Sequence, residues 1–177
     1  DLKFGLKKNS EQFSDEKLVF LKHHLCHAAS AYYSSGFSES CILVLDGSGE
    51  EYTGGLYYGI GEDIECVQNF QVPNSLGGYY ATFTEFLGFK SDSEEGKLMA
   101  LASYGEYCQI TQDLLDQVLS YDPVTGDFSL SIDFRFFGTR SYNSKFTDKL
   151  VSTFGEPRLA GQPINQHHKR LAYNVQW

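Results

Sequence analysis

Residues 41–70, "CILVLDGSGEEYTGGLYYGIGEDIECVQNF", restrict the fold more than any other stretch of this chain. An apolar, β-branched run (41–46) ends on an aspartate, and the glycine-bearing turn "GSGE" (47–50) follows at once. "YTGGLYYGI" (52–60) reads as the return strand and "DIECVQNF" (63–70) as a third. Strand-forming runs separated by short glycine turns predict an antiparallel meander. The unbroken apolar run at 41–46 predicts a strand of the kind buried inside a sheet.

The flanking segments are helical. "KLVFLK" (17–22) has a short strand pattern, and His23 follows it directly. From His24 to Ser35, the residues Leu25, Ala28, Ala29, Tyr32 and Tyr33 recur at helical spacing before Gly36 ends the run. After "VPNSLG", Leu76, Tyr79, Tyr80, Phe83, Phe86 and Leu87 line one side of a helix that stops at Gly88. "SDSEEGKLMALASYG" (91–105) predicts an acidic first turn leading into a short apolar helix. "ITQDLLDQVLSY" (110–121) predicts an amphipathic helix, "GDFSLSI" (126–132) a strand, "NSKFTDKLVSTFG" (143–155) a helix, and "HKRLAYNVQW" (168–177) another. With no repeat, low-complexity tract or interdomain linker, the fold class is mixed α/β.

Composition excludes several functions. The 177 residues carry a net charge of −9, which argues against a broad basic surface for nucleic acid. No apolar stretch approaches the roughly 18–20 residues that cross a bilayer, and no signal peptide opens the chain, so a soluble, cytoplasmic protein without membrane partners is expected. Cys26, Cys41, Cys66 and Cys108 show no C-x-x-C spacing; reduced, packed thiols are expected. Asp1 stands where Met would begin a chain, and the last helical pattern stops at Trp177, so a fragment of a larger protein is expected.

Three constellations carry possible chemistry. His23 and His27 are four apart, so on a helix both imidazoles reach one cation. The Glu of a protease H-E-x-x-H is absent, because His24, Leu25 and Cys26 intervene, which makes a metalloprotease the weakest reading. On spacing alone, packed or surface histidines are the commoner explanation. Asp46 ends a buried strand, where a carboxylate is costly unless it binds something. Gly47 and Gly49 allow a tight turn whose N–H groups can face a phosphate, with Ser48 adding a hydroxyl and Glu50 a second carboxylate; an ordinary hairpin turn uses the same residues. Glu95 and Lys97 open a helix, which suits an anion site, although the residues alone favour an ordinary capped helix.

Taken in order, "LKHHLCHAASAYYSSGF", "ILVLDGSGE…TGGLYYG", "VPNSLGGYYATFTEFLGF" and "EGKLMALASYG" resemble the nodulation- and antibiotic-type O-carbamoyltransferases. The resemblance is strong over 18–105 and looser through "FGEPR" (154–158) to the end. It implies that 1–177 is part of an N-terminal catalytic domain similar to the tRNA threonylcarbamoyl-adenosine proteins, in the actin/sugar-kinase/chaperone-ATPase superfold. That fold is a mixed sheet with antiparallel hairpins and flanking helices. It implies transfer of a carbamoyl group from carbamoyl-adenylate, made from carbamoyl phosphate and ATP, to a hydroxyl of a small molecule. It also implies an iron-type divalent metal held by His23, His27 and Asp46. The glycine turn (Gly47, Ser48, Gly49) would hold the adenylate phosphate, Glu50 or His27 would take the acceptor proton, and Glu95 and Lys97 would border the pocket.

The departures from that family set further expectations. Its metal site takes another aspartate from beyond Trp177, its carbamoyl-adenylate-forming C-terminal domain is absent here, and so is its N-terminal strand region. Three protein ligands at most remain, so this stretch alone is expected to be weakly active or inactive. Two other classes stay open: an ATP-binding kinase or ATPase relative using Asp46 and the turn, and a non-catalytic domain whose histidines are structural.

Overall fold

A computed structural model describes residues 19–138 and 144–177. Helix α1 (His23–Ser35) leads into three strands, β1 (Glu39–Gly49), β2 (Tyr52–Ile60) and β3 (Asp63–Gln71), in the order β1-β2-β3. Helices α2 (Leu76–Phe86), α3 (Glu95–Ala102) and α4 (Gln109–Leu115) follow. Then come a small hairpin, β4 (Leu119–Tyr121) and β5 (Phe128–Leu130), and helices α5 (Asp148–Phe154) and α6 (Gln166–Gln176). Every strand pair is antiparallel among the described residues, so the expected hairpins and flanking helices are present without a parallel neighbour. No helix among them is long and apolar enough to cross a membrane.

The meander follows the sequence closely, but its first strand is buried on one face, not two. Ile42 and Val44 are buried, whereas Cys41, Leu43 and Leu45 on the alternate face are exposed. The strand also runs three residues past Asp46. Gly49 pairs with Tyr52 after a register shift, and the chain reverses at Glu50 and Glu51, with Glu50 in the left-handed region (φ 61°). Extra residues on one strand turn its end outward from the ladder.

Two apolar clusters hold the elements together. Ala28 and Tyr32 of α1 pack on Ile42, Val44 and Tyr57 of the sheet. The larger cluster surrounds α2, which is buried nearly all round: Phe83 and Phe86 meet Leu98 of α3, Phe154 of α5 and Leu171 of α6. A helix apolar on every side belongs at the centre of the packing. Asn174 of α6 ties α4 in place, donating to the Cys108 carbonyl and accepting from the Cys108 N–H, both at 3.1 Å.

Several expectations fail for identifiable reasons. Residues 19–22 form no strand, and 17–18 lie outside the described residues. The helix expected over 110–121 stops at Leu115. Leu119–Tyr121 pairs instead with Phe128–Leu130 across a turn in which Asp122 accepts from the Val124 and Thr125 N–H groups. The helix expected over 143–155 begins only at Asp148: Phe146 bridges to Arg135 as extended chain, and 143 lies outside the described residues. The cysteines are not packed. Cys26, Cys41 and Cys66 are exposed, on the outer side of α1, the open face of β1 and the outermost strand β3, and Cys108 is half-buried.

One hydroxyl joins sheet to helix. Ser75, 2% exposed, caps α2 by accepting from the Gly78 N–H at 2.8 Å and donates to the carbonyls of Asp46 (2.9 Å) and Gly47 (2.7 Å). Ser75→Ala removes the cap and the bonds to the Asp46 and Gly47 carbonyls, and is expected to lower stability by about 1–2 kcal/mol. A shifted denaturation midpoint at unchanged slope checks this.

Candidate metal centre

The face of α1 that meets the sheet carries His24, Ala28 and Tyr32 at successive four-residue steps. His23 and His27 occupy the adjoining row, one residue earlier in each turn. On β1, side chains alternate, so Asp46 follows Ile42 and Val44 on the face that α1 covers. Helix and strand periods therefore bring the histidine pair to the end of β1, and their approach is close. His23 Nε2 is 2.7 Å from Asp46 Oδ2, His27 Nε2 is 3.0 Å from His23 Nε2, and His27 Nε2 is 3.6 Å from Asp46 Oδ2.

The three donor atoms lie within 4.8 Å of one another. A single hydrogen on His23 Nε2 serves Asp46 and His27 poorly, since it cannot point at both. A cation accepts all three lone pairs at once. Donors bound to a divalent ion at about 2.0–2.2 Å stand about 3 Å apart, which is the scale seen here. Two imidazoles and one carboxylate suit a borderline divalent metal, so the residues fit the metal that the sequence resemblance implies. His23 and His27 are about half-exposed, leaving one side of the cluster open to a further ligand or substrate.

The surroundings tune the site. Asp46 is partly buried, which opposes its charge. The Gly47 N–H donated to Oδ1 at 2.6 Å and the His23 contact outweigh that, holding the carboxyl below its ordinary value. His24, which the sequence reading passed over, is 4% exposed, with its Nε2 3.7 Å from Asp46 Oδ2 and without a hydrogen-bond partner among the described residues. Burial and then His23 push its imidazole below its usual value. The signal for it was its spacing from Ala28 and Tyr32. Gly49 makes room: a Cβ there would overlap the His23 ring.

The remaining candidates separate into two groups. Gly47, Ser48 and Glu50 border a cavity of about 250 Å³ beside the cluster, shared with Thr53, Ser75 and Arg135. Glu50 is exposed at the hairpin tip and is not one of the three converging groups. Glu95 and Lys97 border none of this cavity: Glu95 accepts from the Asp92 N–H at 2.5 Å, and Lys97 pairs with Glu94 at 2.5 Å.

Sequence comparison adds a family. The profile described as "Carbamoyltransferase N-terminus" matches residues 4–176. An uncharacterized protein of Synechocystis is 36% identical over 99% of this chain and 29% of its own length. The nodulation protein NolNO of Sinorhizobium fredii is 32% identical over 90% of this chain and 21% of its own. The nodulation protein NolO of Bradyrhizobium diazoefficiens is 37% identical over 88% and 26%. The chain thus spans less than a third of the length of these relatives.

Metal analysis after loading with Fe(II) or Zn(II) is expected to find about one ion per chain, lost in both His23→Ala and Asp46→Ala. Gly49→Ala displaces the His23 ring without removing a ligand and is expected to weaken affinity about tenfold or more in a competition titration. Unchanged binding in all three variants would remove the site.

Proposed function

Since this chain belongs to the family of carbamoyltransferase N-terminal domains, we propose that it is part of a catalytic domain passing a carbamoyl group from carbamoyl-adenylate to a hydroxyl of a small molecule. The observation that carries this reading is the convergence of His23, His27 and Asp46 within 4.8 Å at the end of β1. These residues would hold a divalent metal, of iron type, and such a metal supplies a Lewis acid that polarises the donor and steadies developing negative charge. The described residues are read as part of an actin/sugar-kinase-like fold, and the donor as formed elsewhere from carbamoyl phosphate and ATP.

The chain's own residues have separate tasks. Gly47 and Ser48 border the cavity next to the cluster and are suited to receive the phosphate of the donor. The acceptor hydroxyl oxygen bonds to the carbamoyl carbon as the bond from that carbon to the phosphate oxygen breaks, and AMP leaves. The hydroxyl proton passes to a base at the rim, either the Glu50 carboxylate or an imidazole of the cluster. His24, buried and held towards neutrality, backs the cluster without facing solvent. Glu95 and Lys97 have no part in the donor site in this scheme.

In the full-length protein, His27→Ala is expected to abolish carbamoyl transfer, a loss of about a hundredfold or more, while leaving the circular dichroism spectrum unchanged. Turnover like that of the wild type in this variant would sink the reading. Hydrolysis of ATP without carbamoyl phosphate, unaffected by His27→Ala, would point instead to a kinase- or ATPase-like relative.

A further inference from the structure

Arg135 is placed where an arginine should be unwelcome. It is 8% exposed, and its Nε and Nη1 have no hydrogen-bond partner among the described residues. Its backbone is fixed by the extended pairing with Phe146, flanked by bonds from the Phe136 N–H to the Lys145 carbonyl (2.9 Å) and from the Thr147 N–H to the Phe134 carbonyl (3.2 Å). Its guanidinium stacks at 4.4 Å over the Phe137 ring and lies so close to Gly78 that a Cβ there would overlap it. Gly78 is in the first turn of α2, the positive end of that helix. A cation is therefore buried against a like partial charge, with donors unused.

Among the described residues no carboxylate is paired with it, and Glu50, which borders the same cavity, is exposed at the hairpin tip. Asp92, whose field favours the charged form, is already paired with Lys145 at 2.6 Å. Burial lowers the guanidinium's pKa to about 10, which still leaves it charged at neutral pH. Arg135 does line the cavity of about 250 Å³ that Gly47, Ser48, Thr53 and Ser75 also border. The Thr53 and Ser75 hydroxyls already donate to backbone carbonyls, and Glu50 stands at the cavity's exposed edge. The cavity thus combines a fixed guanidinium with a glycine–serine turn, close to a helix N-terminus. That combination is built for an oxyanion with several acceptor oxygens.

We infer that Arg135 is the receptor for a phosphoryl oxyanion in this cavity, beside the histidine cluster. The inference deepens the reading above, because it shares the Gly47–Ser48 turn with the proposed donor site. It assigns the charge that orients the donor to a residue remote in sequence from every candidate motif. The phosphoryl group belongs either to a nucleotide or to a small free phosphate ester, and the forked donors of Arg135 recognise both.

The test is a calorimetric titration of the protein with inorganic phosphate and with AMP, at fixed ionic strength and with chloride as control. Wild-type protein is expected to bind phosphate saturably and chloride not at all; a wild type with no saturable phosphate binding overturns the inference. Arg135→Gln is expected to weaken phosphate binding about tenfold or more, and Gly78→Ala, which displaces the guanidinium without removing it, is expected to weaken it as well. Because removing an unpartnered buried charge relieves the fold, Arg135→Gln without phosphate is expected to melt no lower than wild type; a marked loss of thermal stability identifies a structural arginine and overturns the inference. AMP binding tighter than phosphate through Arg135 identifies a nucleotide site, and equal affinity a free-phosphate site. His27→Ala is expected to keep phosphate binding, so phosphate binding and carbamoyl transfer can fail separately. If Arg135→Gln binds phosphate as wild type does while His27→Ala abolishes transfer, this inference falls and the proposed function stands.

Discussion

The arrangement depends on the hydroxyl of Ser75, which holds the end of a strand and the start of a helix in one place. It accepts from the first turn of α2 and donates to the backbone of Asp46 and Gly47. Everything on the strand side is thereby referenced to everything on the helical side. The imidazole cluster sits on one flank of this junction, and the cavity with Arg135 lies beside it. A cap of ordinary strength would stabilise α2 anywhere. Here, with its partners at the site itself, it also fixes where the Asp46 carboxylate points.

The electrostatics around that junction are uneven. One carboxylate faces two half-exposed imidazoles and stands 3.7 Å from a third, buried one. A short distance away, a guanidinium is packed against a positive helix end. The net charge of −9 gives no hint of this, because a sum over the whole chain does not record where the basic groups converge. Such local inversions are common where a protein must receive negatively charged ligands.

Much of this was legible in the chain. The meander, α1, α2 and the pairing of His23 with His27 follow from strong periodicity and from glycine punctuation, and Asp46 is marked by ending an apolar run. The rest was not legible, for physical reasons. Burial of β1 on one face depends on what covers the other, which the alternation within an all-apolar run conceals. The break in 110–121 depends on a strand partner, Phe128–Leu130, outside any local window. His24 was overlooked because adjacent histidines look alike until the helix face is known. Arg135 has no motif around it, and its position is set by the bridge to Phe146. Glu95 and Lys97 drew attention by their place at a helix start, where their hydrogen bonds prove to be local.

The spacing of the cluster in the chain bears on when it forms. His23 and Asp46 are separated by 23 positions, whereas the contact between Tyr80 and Gln176, which helps to close the helical half, spans 96. Loop closure over the longer distance is harder by about 1 kcal/mol, and during synthesis its far end emerges much later. Only the first half of the chain is needed to bring α1, β1 and the Ser75 clasp together. The three converging side chains can therefore meet while the ribosome is still delivering the residues that will enclose α2.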